Sequence, residues 1–356
     1  MKKLLLIIIA ILAFHFARAQ ADTLFWFVAP RITTAHFPTP IEFKMASFND
    51  KPVTVTLSKP ADPTFIPVVR TIPANGDLAI TYTTVADKDR FENKPPNQIL
   101  NFGVLIEATD FISVYYEIST GQNNPEIFSL KGVNALGTDF MIPGQTQYSN
   151  ATYNPRPWNS VDIVATEDGT SVTITPTVAL DGGRPAGTPF TIALDKGETF
   201  CCASTAIAPE FHLHGTVVTS DKPIAITVTD DSVGLNAGFD LTGDQIVPTN
   251  IIGKEYIAIK GGLSQYAGQV HEKIYILAIE DNTNVYLRGS NIFPTPLDRG
   301  QTYVASFTGY EDALHIRTDK PVYAYQLTGQ GEEFGSALLI ISLNLKYTVS
   351  HHIVLC

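Results

Sequence analysis

The chain has 356 residues, 44% of them apolar, with 24 basic and 35 acidic side chains and a formal net charge of −11 at pH 7. That is ample apolar material for two or three cores of ordinary domain size, and it excludes a disordered chain. The acidic balance, without any basic run interleaved with aromatics, excludes nucleic acid, because that affinity rests on Lys and Arg neutralising phosphates.

At the N-terminus, Lys2 and Lys3 precede an apolar run from Leu4 to Phe16, and Ala17-Arg18-Ala19 follows. The pattern predicts a secretory signal peptide over residues 1–19, leaving Gln20 as the new terminus, with Ala21 as an alternative cut. The run is shorter than the roughly 20 residues a lasting bilayer anchor needs. No Cys stands directly after it, which argues against a lipid anchor. Cleavage removes Lys2, Lys3 and Arg18, so 21 basic residues face 35 acidic ones in the mature chain, a net charge of −14. The expected location is extracellular or on the cell surface, with no transmembrane segment after cleavage.

Beyond this segment one phrase is written three times: Ala46-Ser-Phe-Asn-Asp-Lys-Pro-Val53, Ala165-Thr-Glu-Asp-Gly-Thr-Ser-Val172 and Ala278-Ile-Glu-Asp-Asn-Thr-Asn-Val285. The arms are β-branched and the centre is rich in Asn, Asp, Gly and Thr, so each reads as a strand-turn-strand hairpin. Each is preceded by a strand, at Phe27-Val-Ala-Pro30, Phe140-Met-Ile-Pro143 and Tyr256-Ile-Ala-Ile259. After it, Leu194-Asp-Lys-Gly197 matches Leu297-Asp-Arg-Gly300, with Ile72-Pro-Ala-Asn-Gly76 as a loose counterpart. A late hairpin is expected at Ser220-Asp-Lys-Pro223 and Thr318-Asp-Lys-Pro321, with Thr109-Asp-Phe-Ile112 as its degenerate form. Successive phrases lie 119 and 113 residues apart, and no stretch has a sustained helical period. These spacings predict an all-β protein of tandem β-sandwich-like repeats of about 115 residues. A β-propeller is the alternative, although the usual blade period is absent. The expected division is a signal peptide at 1–19, a divergent repeat at 20–132, repeats at 133–247 and 248–337, and an atypical tail at 338–356 that reads as truncated.

In combination, Ala-x-x-Asp-x-Thr-x-Val, Leu-x-x-Gly-x-x-[Phe/Tyr] and [Ser/Thr]-Asp-Lys-Pro-[Ile/Val] resemble the N-terminal domain of the IgGFc-binding protein family, best from about Leu136 to Ala337. The resemblance implies an exported bacterial binding or adhesion module, and the family's name implies immunoglobulin Fc or a mucin-like glycoprotein as ligand for some members. Members often carry cysteines in the loop after Asp-Lys-Pro. Here Thr229 to Pro248 has none, which puts a shared ligand in doubt.

Three loops are expected after the late strands, at residues 118–132, 229–248 and 328–336. The middle one gathers Asp230, Asp231, Asn236, Asp240 and Asp244, hard oxygen ligands of the kind Ca²⁺ takes, although the spacing is not that of an EF-hand. A ligand-binding rim without metal is the preferred reading, since loops on rigid β scaffolds carry recognition. Trp158, in the Pro-rich stretch Asn154-Pro-Arg-Pro-Trp158, is a candidate for stacking on a ligand or for packing. His212 and His214 would share one strand face but lack a third ligand. Cys201 and Cys202 read as free thiols on a strand, and Cys356 has no evident role. No nucleophile elbow, zinc-binding helix motif or phosphate loop occurs. The sequence therefore points to a non-enzymatic module that binds an extracellular protein or glycan through its loops, without a required cofactor. A structural spacer is the alternative, and a carbohydrate-active enzyme is the least supported.

Overall fold

A computed structural model describes residues 21–37, 39–118, 125–234, 239–263, 271–291, 296–308, 312–331 and 333–339. The predicted signal peptide, Asn236 and Cys356 lie outside the described residues. The architecture is all-β, in three successive sets of strands. The first holds β1 (Asp22–Phe27), β2 (Ile41–Ala46), β3 (Val53–Ser58), β4 (Val68–Ile72), β5 (Asp77–Tyr82), β6 (Ile99–Leu100), β7 (Val104–Ile118) and β8 (Glu126–Leu130). The second holds β9 (Gly137–Met141), β10 (Asn159–Ala165), β11 (Thr170–Thr175), β12 (Phe190–Leu194), β13 (Thr199–Ala203), β14 (Val217–Val233) and β15 (Asp240–Gln245). The third holds β16 (Glu255–Ile259), β17 (Gly262–Leu263), β18 (Lys273–Ala278), β19 (Val285–Leu287), β20 (Ser290–Asn291), β21 (Thr302–Ser306), β22 (Ala313–Thr318), β23 (Val322–Gly331) and β24 (Glu333–Leu338). The only α-helix among the described residues is the four-residue α1 (Val85–Lys88).

Each set makes two facing layers by the same wiring. In the first, β7 begins between β1 and β3, with Phe27 opposite Val104 and Ser58 opposite Leu105. It then bends and runs between β2 and β8, where Val114 faces Met45 on one side and Leu130 on the other. One layer is therefore β4-β3-β7-β1 and the other β5-β2-β7-β8. In the second set β14 plays the same double part, pairing with β9 and β11 before its bend and with β10 and β15 after it. The third set divides this long strand into β22 and β23.

This wiring corrects two sequence expectations. The repeated Ala-to-Val phrase is not a hairpin, because β2 and β3 pair with other strands and not with each other, as is true of β10 with β11 and β18 with β19. It is an arch that carries the chain from one layer to the other. Asp-Lys-Pro is not a hairpin turn either: in the second set it lies within continuous β14 at its bend, and in the third it spaces β22 from β23. Arches and hairpins use the same turn-forming residues, so local chemistry does not separate them.

Period-two alternation sends Ile41, Phe43 and Met45 into the first core, where Phe27 and Phe43 pack on Tyr116 with centroids 4.8 and 5.2 Å away. The cores are joined. Trp26, Val28 and Leu105 of the first set share a cluster with Val164 and Ala225 of the second. Tyr275, Leu277, Tyr323, Tyr325 and Phe334 of the third set belong to the same buried cluster as Val161, Ile163 and Val218 of the second. In addition, β6 from the first set extends the second by pairing with the edge of β13.

Candidate functional site

The repeated motifs meet at one end of each sandwich, where they bond to one another. In the second set Asp221 Oδ1 accepts from the Ser171 amide at 2.8 Å, and Asp168 Oδ1 accepts from the Lys196 amide at 3.0 Å. The Lys222 ammonium donates to the Asp168 carbonyl at 2.5 Å. The third set repeats this arrangement: Asp319 Oδ1 takes the Asn284 amide at 2.8 Å, Asp281 Oδ1 takes the Arg299 amide at 2.9 Å, and Lys320 donates to the Asp281 carbonyl. Thr170 and Thr283 each donate to the Glu carbonyl three residues back, both at 2.7 Å. The motif side chains thus satisfy backbone groups that arches leave without ladder partners. They form a latch that holds three crossings together.

The first latch departs from the pattern. Phe48 stands where the other arches carry Glu167 and Glu280, and Phe111 where the others carry Lys222 and Lys320. Both rings are exposed, and with Ala21, Ala46, Asn49 and Ile112 they line a hollow of about 240 Å³.

The expected acidic loop of the second set is mostly strand, and its carboxylates are buried. Asp230 and Asp231 lie in β14, Asp240 and Asp244 in β15. Asp230 accepts from Asn150 and Gln145, both at 2.6 Å, and lies 3.2 Å from His212 Nδ1, while His212 Nε2 meets Asn150 Oδ1 at 3.0 Å. Burial by itself would lower the His212 pKa, but the Asp230 charge and hydrogen bond carry it above its ordinary value. Asp231 accepts from the Thr33 amide at 2.7 Å and from the Ser232 hydroxyl at 2.9 Å, and that hydroxyl meets His36 Nδ1 at 3.0 Å. Ser232 sits at φ 57, where β14 bulges against β15. These contacts tie the connector of the first set to the end of β14.

Asp240 and Asp244 occupy a seam where β8, β15 and β24 meet. Asp240 Oδ2 accepts from the Phe334 amide at 2.7 Å, and Asp244 Oδ2 from the Leu338 amide at 2.9 Å. Asp244 Oδ1 pairs with Lys131 at 2.7 Å. Burial pushes the Asp240 carboxyl up to about 8; the Phe334 amide opposes that rise and Glu333 reinforces it. Glu126, buried between β15 and β24, is also held well above the carboxylate range, chiefly by burial. The sequence shows these acids but not their partners, such as the Thr33 amide 198 residues from Asp231 and Lys131 113 residues from Asp244.

At the end of the layers away from the latch, β14 ends at Val233 and β15 begins at Asp240. Beside the start of β15 the Tyr153 and Phe239 rings meet edge-on at 5.7 Å, and Tyr153 is exposed. Trp158 is half-buried, with the Arg31 guanidinium 4.3 Å from its ring centroid, a packing contact between the first and second sets. Sequence reasoning missed Tyr153 and Phe239; the aromatic in a Pro-rich connector, two residues before Pro155, was the available signal. Cys201 and Cys202 are free buried thiols on β13, as expected, with burial raising the pKa of both. Among the described residues no group of three or more His, Cys, Asp or Glu is placed to hold a metal ion.

The arches, bent strands and latches recur in one order, and a family model described as IgGFc binding protein matches residues 128–347, more than half of the chain. The chain belongs to the IgGFc-binding protein family. No curated protein and no solved structure matches it. This membership, together with motif residues engaged in holding arches, gives the chain a non-enzymatic binding role.

Proposed function

We propose that this member of the IgGFc-binding protein family is a secreted or cell-surface module that recognises a protein or glycoprotein through the turn ends of its sandwiches. Its repeats occupy residues 20–132, 133–247 and 248–337, and residues 1–19 direct export. The observation that carries this reading is the division of labour along the second sandwich. Polar motif residues at one end are bonded into the latch, while at the other end Tyr153 of the β9–β10 connector is exposed and meets Phe239 beside the start of β15. Trp158, in the same connector as Tyr153, and Asn236, in the β14–β15 connection, are further contact residues. Asp230, Asp231, Asp240 and Asp244 act beneath them, fixing the strands from which the turn projects.

Immunoglobulin Fc and mucin-like glycoprotein are the first ligands to try, followed by a glycan array, each with and without Ca²⁺. The mature chain from Gln20 is expected to bind one class saturably. Tyr153→Ala should weaken binding roughly tenfold, about 1.4 kcal/mol, without moving the thermal midpoint, while Phe48→Ala at a latch should leave binding unchanged. Equal losses from both substitutions would place the ligand elsewhere. No binding to any class by folded protein would favour a structural spacer.

A further inference from the structure

Among the described residues two lysine–carboxylate pairs are buried on both sides, Lys88 with Glu92 and Lys131 with Asp244, each at 2.7 Å. They differ in company. Lys94 sits on the same Glu92 oxygen at 2.9 Å, so that carboxylate faces two ammonium groups. Among the described residues Asp244 has Lys131 as its single cationic partner. The Lys131 pair also joins two sandwiches, since Lys131 directly follows β8 of the first set and Asp244 lies in β15 of the second, 113 residues away.

Hydrogen bonds fix this pair from every side. The Lys131 amide donates to Gln245 Oε1 at 2.8 Å, and Gln245 Nε2 donates to the Trp26 carbonyl at 2.7 Å. The lysine backbone is thereby tied to the residue next to Asp244. Lys131 Nζ donates to the Ser129 carbonyl at 2.9 Å as well as to Asp244 Oδ1 at 2.7 Å. Asp244 Oδ1 also accepts from the Gln245 amide at 2.8 Å, and Oδ2 accepts from the Leu338 amide at 2.9 Å.

The surroundings penalise charge. The two side chains are 5% and 4% exposed. On the same seam burial is the largest cause that pushes the Asp240 and Glu126 carboxyls up. An amine and a carboxyl held in contact in such a place have no encounter left to wait for, which is the geometric requirement for joining them. The amide they would form carries no charge, so it escapes the desolvation cost that a buried ion pair bears.

We infer that Lys131 and Asp244 condense into an amide, a covalent tie between the first and second sandwiches. One proton passes from the ammonium to Oδ1 along their hydrogen bond. The neutral amine then attacks Cγ, forming the Nζ–Cγ bond and moving the carbonyl π pair onto Oδ2, where the Leu338 amide donates to the developing charge. A second proton moves from the nitrogen to Oδ1. The Oδ2 pair restores the carbonyl as the Cγ–Oδ1 bond breaks, and its electrons leave with Oδ1 as one water. In the product Oδ2 keeps the Leu338 amide, and the remaining N–H keeps the Ser129 carbonyl as acceptor. The step is an elimination of water between two side chains, without oxidant or cofactor, and it happens once per chain.

The test is intact mass spectrometry of the denatured mature chain from Gln20, followed by peptide mapping. The major species is expected to weigh one water less than its sequence, with a branched peptide joining Lys131 to Asp244. Lys131→Arg keeps a cation beside Asp244 but replaces the amine by a guanidinium, so it should return the full mass and lower the thermal midpoint. Should Lys131→Arg fail to give a cooperative melt, the wild-type peptide map decides by itself. Folded wild-type protein of full mass, with Lys131 and Asp244 in separate peptides, would overturn the inference and leave an ion pair only. A water loss that persists in Lys131→Arg, as from cyclisation at Asp168-Gly169, would overturn it too.

Discussion

Asp162 is fully buried on β10, where Ser160 and Asn93 donate to its two oxygens at 2.8 and 2.9 Å. Burial nevertheless dominates these bonds and pushes its carboxyl up to about 7 from 3.8. The folded state therefore holds a proton that the unfolded chain has already released. Stability falls as pH rises through the window from about 4 to about 7 and is level above it. His212, with its pKa raised by Asp230, acts with the same sign, its contribution being lost as pH climbs from 6.5 through the folded value. Asp162→Asn keeps a hydrogen-bonding group while removing the charge, so at pH 8 it should stabilise the chain by on the order of 1–3 kcal/mol. In urea unfolding that advantage should shrink markedly by pH 5. An advantage of equal size at both pH values would show that the carboxyl is not held neutral by burial.

At the scale of elements, the connection before β13 and the one before β21 look alike in sequence, yet their glycines are under different demands. Gly197 and Gly300 both adopt positive φ, 82 and 86, so either alanine substitution strains the backbone. A Cβ at Gly197 would lie 2.8 Å from the Ala61 amide nitrogen, whereas at Gly300 nothing lies within 4 Å. Gly300→Ala should cost about 1 kcal/mol in chemical denaturation, and Gly197→Ala at least about 2 kcal/mol, the added cost coming from the first set pressed against it. Similar costs would mean that this contact yields easily.

The same pair shows what could be read in advance. Repetition, strand content and the order of motifs are local properties, and they reveal an all-β tandem repeat because each strand carries its own alternation. Pairing is not local. Ala165 and Val172 bracket the same turn residues whether β10 and β11 face each other in a hairpin or lie in opposite layers. Asp240-Leu-Thr-Gly-Asp-Gln245 reads as an acidic loop because its polar groups are satisfied by Phe334, Leu338 and Lys131, residues from strands that sequence spacing cannot place beside it. Trp158 was legible as a packing or stacking residue, but its partner Arg31 was not.

Over the whole molecule, the shared clusters decide how the chain unfolds. Leu277 and Tyr325 of the third set are buried together with the second core, and Val164 and Ala225 of the second with Trp26 of the first. Sandwiches joined in this way are expected to melt in one calorimetric transition rather than three. Leu277→Ala, which empties a place at the seam, should cost about 2–5 kcal/mol and move that whole transition downward. A separate low-temperature peak belonging to the third set alone would contradict this coupling.

The latch also bears on inheritance. Asp168, Asp221 and Lys222 bond only to neighbouring crossings within their own sandwich, so a lineage can rewrite the distant turn between Gly234 and Phe239 without disturbing them. Descent is thus recorded at one end of the sandwich, and the proposed recognition surface lies at the other. Kinship detected through these motifs is evidence of a common frame, and two kin chains can carry it to unrelated targets.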